Sequence, residues 1–198
     1  MQMLFYLSYA IFISKGVVKM VFVILVDGFE EMEAICTIDI LRRAGIEVKT
    51  AGLGGGYIKG SHSVIVKSDI PLGEMNVNGA DLIVLPGGAG HKTMLENDVI
   101  LENIKRANES GIKIGAICAA PAVLAKAGIL SGKNATIYTG MEKELKDAVY
   151  TDKDVVVDGN IITGRGPALA MQFALELVKQ LKGQEAMEKV KKGLLFEK

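Results

Sequence analysis

The chain has 198 residues, 49% of them hydrophobic, enough for one well-packed domain, and no Pro/Gly/Ser-rich linker divides it. Lysine plus arginine and aspartate plus glutamate number 23 each, so there is no charge excess to draw the chain to nucleic acid or to an anionic membrane. Two cysteines, Cys36 and Cys118, far apart and outside metal-ligand spacing, argue against a disulfide framework or a zinc site and fit a reducing cytoplasm.

Residues 1–19 begin with MQMLFYLSYAIFIS, apolar over about ten residues where a spanning helix needs roughly twenty. A basic leader and a clear small-residue cleavage site are lacking, so a secretory signal is a poor match. Three readings stay open: a misassigned start with Met20 as the natural beginning, a weak membrane anchor, or an added element packed on the domain. The patterned domain runs over 20–198.

From Met20 to Val26 the sequence is apolar throughout, as in a strand covered on both faces, and Asp27-Gly28 ends it. Met32, Ile35, Ile38 and Leu41 then fall at helical spacing behind Glu30, Glu31 and Glu33, and Gly45 stops the helix before a second strand at Ile46–Ala51. This βαβ unit predicts a parallel sheet with right-handed crossovers. A short hairpin with Gly60-Ser61 near its bend departs from the alternation. Leu82–Leu85 reads as a buried strand running into Pro86-Gly87-Gly88, whose backbone can turn N–H groups toward a ligand. A crossover helix is expected between Lys92 and Ser110, then a strand ending at Cys118 and another helix. GKNATIY gives a further strand, MEKELKDA a short polar helix, and VVVDGNIITGRGP a hairpin turning at Asp158-Gly159. The last long helix, Ala168–Lys182, sets Ala170, Phe173, Ala174, Leu177, Val178 and Leu181 on one stripe. The sum is α/β: a flavodoxin-like three-layer sandwich around a mainly parallel sheet.

Within that fold, IKIGAICAAPAVLAKAG places Cys118 at a strand-to-helix joint, where a nucleophile elbow would stand. Backbone N–H groups there favour a thiolate. A buried, inert cysteine is the alternative. Glu33, in the first helical turn after the first strand, opens onto the same sheet edge and can face Cys118, the pair sharing one proton with Glu33 as the acid. Glu30 and Glu31 read as complements to the helix dipole. Cys36 reads as a small core residue. No Gly-x-Gly-x-x-Gly or Gly-Lys-Ser/Thr pattern follows a strand, so a nucleotide is not expected.

The runs DGFEEMEAICTIDILRRAG, LPGG, AICAAP, TGRGP and KGQEAMEKVKKGLL resemble, in register from about Met20 to the end, the ThiJ/PfpI family, and most closely its branch containing the Parkinson-linked protein deglycase. The resemblance implies Cys118 as nucleophile and Glu33 as the protonated acid beside its sulfur. Backbone donors would come from Gly87, Gly88 and Ala119, resembling an oxyanion hole, and Gly166-Pro167 would line the pocket. Arg43 and His62 would lie near an anion site at a homodimer contact, although close relatives carry arginine in place of His62. The family histidine that approaches the cysteine falls on Tyr138, and the protease-like branch's histidine falls on Ala119. No Cys-His dyad is therefore expected; His91, after the PGGAG turn, is the remaining histidine that could enter the pocket. The implied activity is a cofactor-independent, cysteine-dependent conversion of small dicarbonyls such as methylglyoxal, or of their adducts, in the manner of a glyoxalase or deglycase. The alternatives are a cysteine redox sensor or stress chaperone and, from the wider family, a peptidase.

Overall fold

The computed structural model describes residues 19–196. All but the last of the first nineteen residues, on which the three readings of the N-terminus bear, lie outside them. Lys19 is tied down, its Nζ donating to Asp81 at 2.8 Å.

A seven-stranded sheet forms the middle layer. Its strands are β1 (Met20–Leu25), β2 (Glu47–Gly52), β5 (Ile70–Pro71), β6 (Leu82–Leu85), β7 (Lys113–Ile117), β10 (Val155–Asp158) and β11 (Ile161–Gly164). The spatial order is β10-β11-β7-β6-β1-β2-β5, parallel except for the antiparallel edge pair β10–β11. From β2 to β11 this is the flavodoxin-like order, with the chain reversing direction of travel between β1 and β6. The apolar run of β1 explains its central place. Phe22, Ile24 and Val26 enter one core, Val21, Val23 and Leu25 the other, and all six are buried.

Helices α1 (Glu31–Arg43), α5 (Ala170–Lys182) and α6 (Gln184–Gly193) cover one face, and α2 (His91–Leu95), α3 (Asp98–Glu109) and α4 (Pro121–Lys126) the other. The α5 stripe packs as its spacing predicts, with Phe173, Ala174, Leu177 and Val178 fully buried. Three expectations are corrected. The α1 stripe is rotated: Ala34, Thr37, Ile38, Ile40 and Leu41 face the core, whereas Met32 is 60% and Ile35 42% exposed. A 100° rotation per residue lets i, i+3 patterns drift, and the buried set follows the face that Glu33 occupies. The single crossover helix is two, broken where the Asn97 side chain accepts from Ile100 N at 3.0 Å and restarts the turn as a cap. GKNATIY contributes only β8 (Asn134–Ala135), paired with β9 (Val149–Tyr150) outside the main sheet. Its continuation is held beside β11, Thr136 N donating to Thr163 Oγ1 at 3.0 Å. The expected hairpin at 57–67 is present as β3 (Tyr57–Lys59) and β4 (Ile65–Lys67).

Candidate active site

The carboxyl ends of β1, β6 and β7 open side by side, and the turns that follow them bring Glu33, Gly87-Gly88 and Cys118 together. A reversal in strand order splays neighbouring connections to opposite faces, which leaves a crevice there. Cys118 follows β7 with φ +62°, a left-handed conformation that costs a non-glycine residue on the order of 1–3 kcal/mol. Both of its backbone groups are tied: its N–H donates to Gly164 O and its carbonyl accepts from Tyr138 N, each at 2.9 Å. Two such bonds, on the order of 1 kcal/mol each, offset the strain and fix the sharp turn. The side chain points into a nearly closed site, with 8% of the residue exposed.

Glu33 is fully buried. Its Oε2 accepts the Gly87 N–H at 2.7 Å, while Oε1 has no hydrogen-bond partner among the described residues. Burial raises the carboxyl to about 7, against the opposing pull of the Gly87 and Cys118 contacts. Burial, then the charge of Glu33, push the Cys118 thiol up to about 12, although the N–H groups of Gly88 and Ala119 pull the other way. The thiolate that the turn's N–H groups favour is thus opposed by a larger desolvation cost.

Gly87 serves differently from the expectation. Its N–H is spent on Glu33, so it positions the acid, and Gly88 and Ala119 are the donors facing the sulfur. A Cβ on Gly87 would stand 2.6 Å from the Cys118 Cβ and 2.8 Å from Glu33 Oε2, so only glycine fits. Gly87 O accepts from Glu30 N at 3.0 Å, pinning the β6 turn to the β1 turn.

Glu30 was missed as a site residue. It is buried, and its Oε2 accepts from Glu33 N at 2.8 Å, capping α1 and setting the direction in which Glu33 leaves the helix. The sequence signal was there, an acid three residues before another at a helix start. Glu31 pairs instead with His62, its Oε2 lying 2.8 Å from the ring Nδ1; this holds the Glu31 carboxyl low and raises the exposed imidazole. His91 opens α2, its Nδ1 2.8 Å from Gly88 O. Within the chain, Arg43 does not meet Cys118 or Glu33. It lies at the far end of α1, about 15 Å along the axis from Glu33, its Nε paired with Asp39. Cys36 is half-buried at the edge of the core, its thiol raised by burial.

Tyr138, Gly166 and Pro167 line a cavity of about 440 Å³ together with Thr139, Arg165 and Leu169. Its two walls are the segments whose backbones bond to Cys118, through Tyr138 N and Gly164 O. Arg165 is the charged residue of the TGRGP run.

The fold and this site define a cysteine-bearing α/β sandwich of a recognisable kind. The chain belongs to the DJ-1/PfpI family, whose model matches residues 19–180. It is 45% identical over 181 residues to Protein dj-1beta of Drosophila melanogaster, covering 89% of this chain and 97% of that one. The crystal structure of that protein superposes with a TM-score of 0.88 over 90% of this chain and 98% of its own. A glutathione-independent glyoxalase of Caenorhabditis elegans, DJR-1.2, is 36% identical over 170 residues, covering 85% and 91% of the two chains. A deglycase of Pyrococcus abyssi is 34% identical over 164 residues, covering 82% and 99%.

Proposed function

We propose that the protein is a cofactor-independent enzyme that converts small dicarbonyls such as methylglyoxal, or releases them from their adducts, with Cys118 as nucleophile and Glu33 as the proton carrier. One observation carries this reading. A buried carboxyl with one oxygen fixed by Gly87 and the other unpartnered lies against a thiol, and it is raised to about 7. An acid–base group works best with a pKa near the operating pH, so Glu33 can serve as the base that no histidine supplies. The glyoxalase and deglycase relatives point the same way.

In the reaction, Glu33 takes the thiol proton as the Cys118 sulfur adds to the aldehyde carbon, forming the S–C bond of a hemithioacetal. The Gly88 and Ala119 N–H groups stand where the charge on sulfur develops. Glu33 passes the thiol proton to the new oxygen and, again a carboxylate, carries the aldehyde hydrogen, as a proton, from the first carbon to the second while the hydroxyl proton of the first carbon moves to the oxygen of the second. The first carbon is oxidised to a thioester and the second reduced to an alcohol. Water cleaves the thioester, returning the thiol and releasing lactate, so the net change is methylglyoxal plus water to lactate. Lactate should form with the wild type and fall at least a hundredfold with Cys118→Ser; equal rates would end the proposal. A redox sensor draws less support, because oxidation selects exposed thiols of low pKa, whereas Cys118 is buried and raised. A peptidase lacks its dyad, since Ala119 follows the cysteine and the His91 ring bonds to Gly88 O.

The proposal includes a homodimer. Met32, Ile35, Tyr57, Val64 and Ile65 are all exposed, on α1 and the β3–β4 hairpin, which lie against each other across a shallow groove lined by Ile35 and Val66. An apolar face next to the Glu33 turn fits a second copy of the chain. A cytoplasmic setting is part of the same reading; among the described residues, no helix is long and apolar enough to cross a membrane.

A further inference from the structure

Arg165 is the one charged residue on the wall of the cavity formed by the two segments whose backbones bond to Cys118. Its backbone N–H donates to Asp154 O at 3.0 Å, and its Nη2 is paired with Asp152. The Asp152 side chain is 76% exposed, so this pair is a tether in water and worth little by itself. The Arg165 side chain is only 27% exposed, and its buried Nε finds no acceptor among the described residues. A guanidinium offers five N–H donors in a planar fork suited to a carboxylate. One half-buried, with a single N–H group held by an exposed aspartate and with uncharged residues making up the rest of the cavity wall, keeps N–H groups to offer an anion. The rest of the wall is glycine, apolar residues, Tyr138 and Thr139. At about 440 Å³ the cavity is also larger than a three-carbon substrate requires.

We propose that Arg165 determines specificity by binding the carboxylate at the far end of a 2-oxoaldehyde whose aldehyde carbon reacts at Cys118. This rests on the dicarbonyl reading above and names its substrate class, an acyclic 2-oxoaldehyde ending in a carboxylate. The chemistry is that of methylglyoxal with a longer tail. Sulfur adds to the aldehyde, the aldehyde hydrogen moves as a proton to the neighbouring carbon, and water cleaves the thioester. For 4,5-dioxopentanoate the net change is addition of one water to give 2-hydroxyglutarate, the aldehyde carbon being oxidised and the ketone carbon reduced.

The test compares 4,5-dioxopentanoate with methylglyoxal in the full chain. The wild type is expected to favour the anionic substrate in kcat/KM by at least tenfold. Arg165→Met should reduce that ratio about tenfold or more, through KM rather than kcat, and Arg165→Lys should restore part of it. Thermal melting verifies that each variant is folded. If methylglyoxal is turned over but the ratio lies near one, or survives in Arg165→Met, the assignment of Arg165 is overturned and the dicarbonyl reading stands. If neither compound is turned over, the dicarbonyl reading fails. Calorimetric binding of 2-hydroxyglutarate against lactate then decides Arg165: equal affinities in wild type and Arg165→Met overturn it, and a tenfold loss confined to 2-hydroxyglutarate supports it.

Discussion

Glu33 shows how far one buried group can bend the behaviour of a protein. Its folded-state pKa of about 7 lies above the ordinary 4.5, so between these values the native state binds a proton that the unfolded chain has released. Native stability must then fall as pH rises from about 4.5 through 7, by about 3 kcal/mol in all. Glu33→Gln keeps the acceptor for Gly87 N–H and removes the titration. Urea unfolding at pH 5 and pH 8 should show the wild type losing a few kcal/mol more than the variant, and parallel behaviour would contradict the placement of this proton. The opposite dependence is expected of activity in the wild type, which should rise through about pH 7 as Glu33 becomes a base; Glu33→Gln should lack that rise. At this scale the sequence was readable for identities and not for energies. Cys118 and Glu33 stood out by residue type and position. Whether burial or the turn's N–H groups would control the thiol depended on how much water the folded chain excludes, and 8% exposure gave burial the larger part.

At the scale of elements, the site is an agreement among three turns from distant parts of the chain. The β1 turn supplies Glu33 and its cap Glu30, the β6 turn supplies Gly87, and the β7 turn supplies Cys118; Gly87 touches both of the others. Gly87→Ala should therefore injure the site more than its size suggests. The added methyl would stand 2.6 Å from the Cys118 Cβ, and relief requires moving either Cys118 or Glu33. A displacement near 1 Å at a reacting group can cost about a hundredfold in rate, so a fall of that order in kcat is expected with a measurable drop in melting temperature. Full activity would show that the three turns are not coupled through this residue. Strand and helix periodicity made these elements legible. The break between α2 and α3 was harder to see because its cause is one side chain, Asn97, turning back on the backbone. The small β8–β9 pair escaped because two residues carry no period.

For the whole molecule, the exposed α1 and hairpin residues set up a prediction about assembly. Met32→Glu combined with Ile65→Glu places two charges on the apolar face while sparing both cores, since these side chains are 60% and 63% exposed. Light scattering should give twice the chain mass for the wild type and the single-chain mass for the double variant. A variant that still elutes as a dimer would move the interface elsewhere. The same two residues show where helical spacing misleads. Met32 and Ile35 read as core, and the fold turned them outward because Glu33, one residue from Met32, had to point at Cys118.

By itself, the sequence determined what depends on local order: the buried β1, β6 and β7 strands, the alternation that makes a parallel sheet, and a cysteine at the end of one strand with an acid just beyond another. Tertiary structure alone decided what depends on distance and exclusion of water. It paired His62 with Glu31 and Arg43 with Asp39, spent the Gly87 N–H on Glu33, and set Arg165 on the cavity wall. The physical reason is that side-chain identity fixes which charges and hydrogen bonds a residue can make. Only packing fixes which partners it meets and how much solvent stands between them.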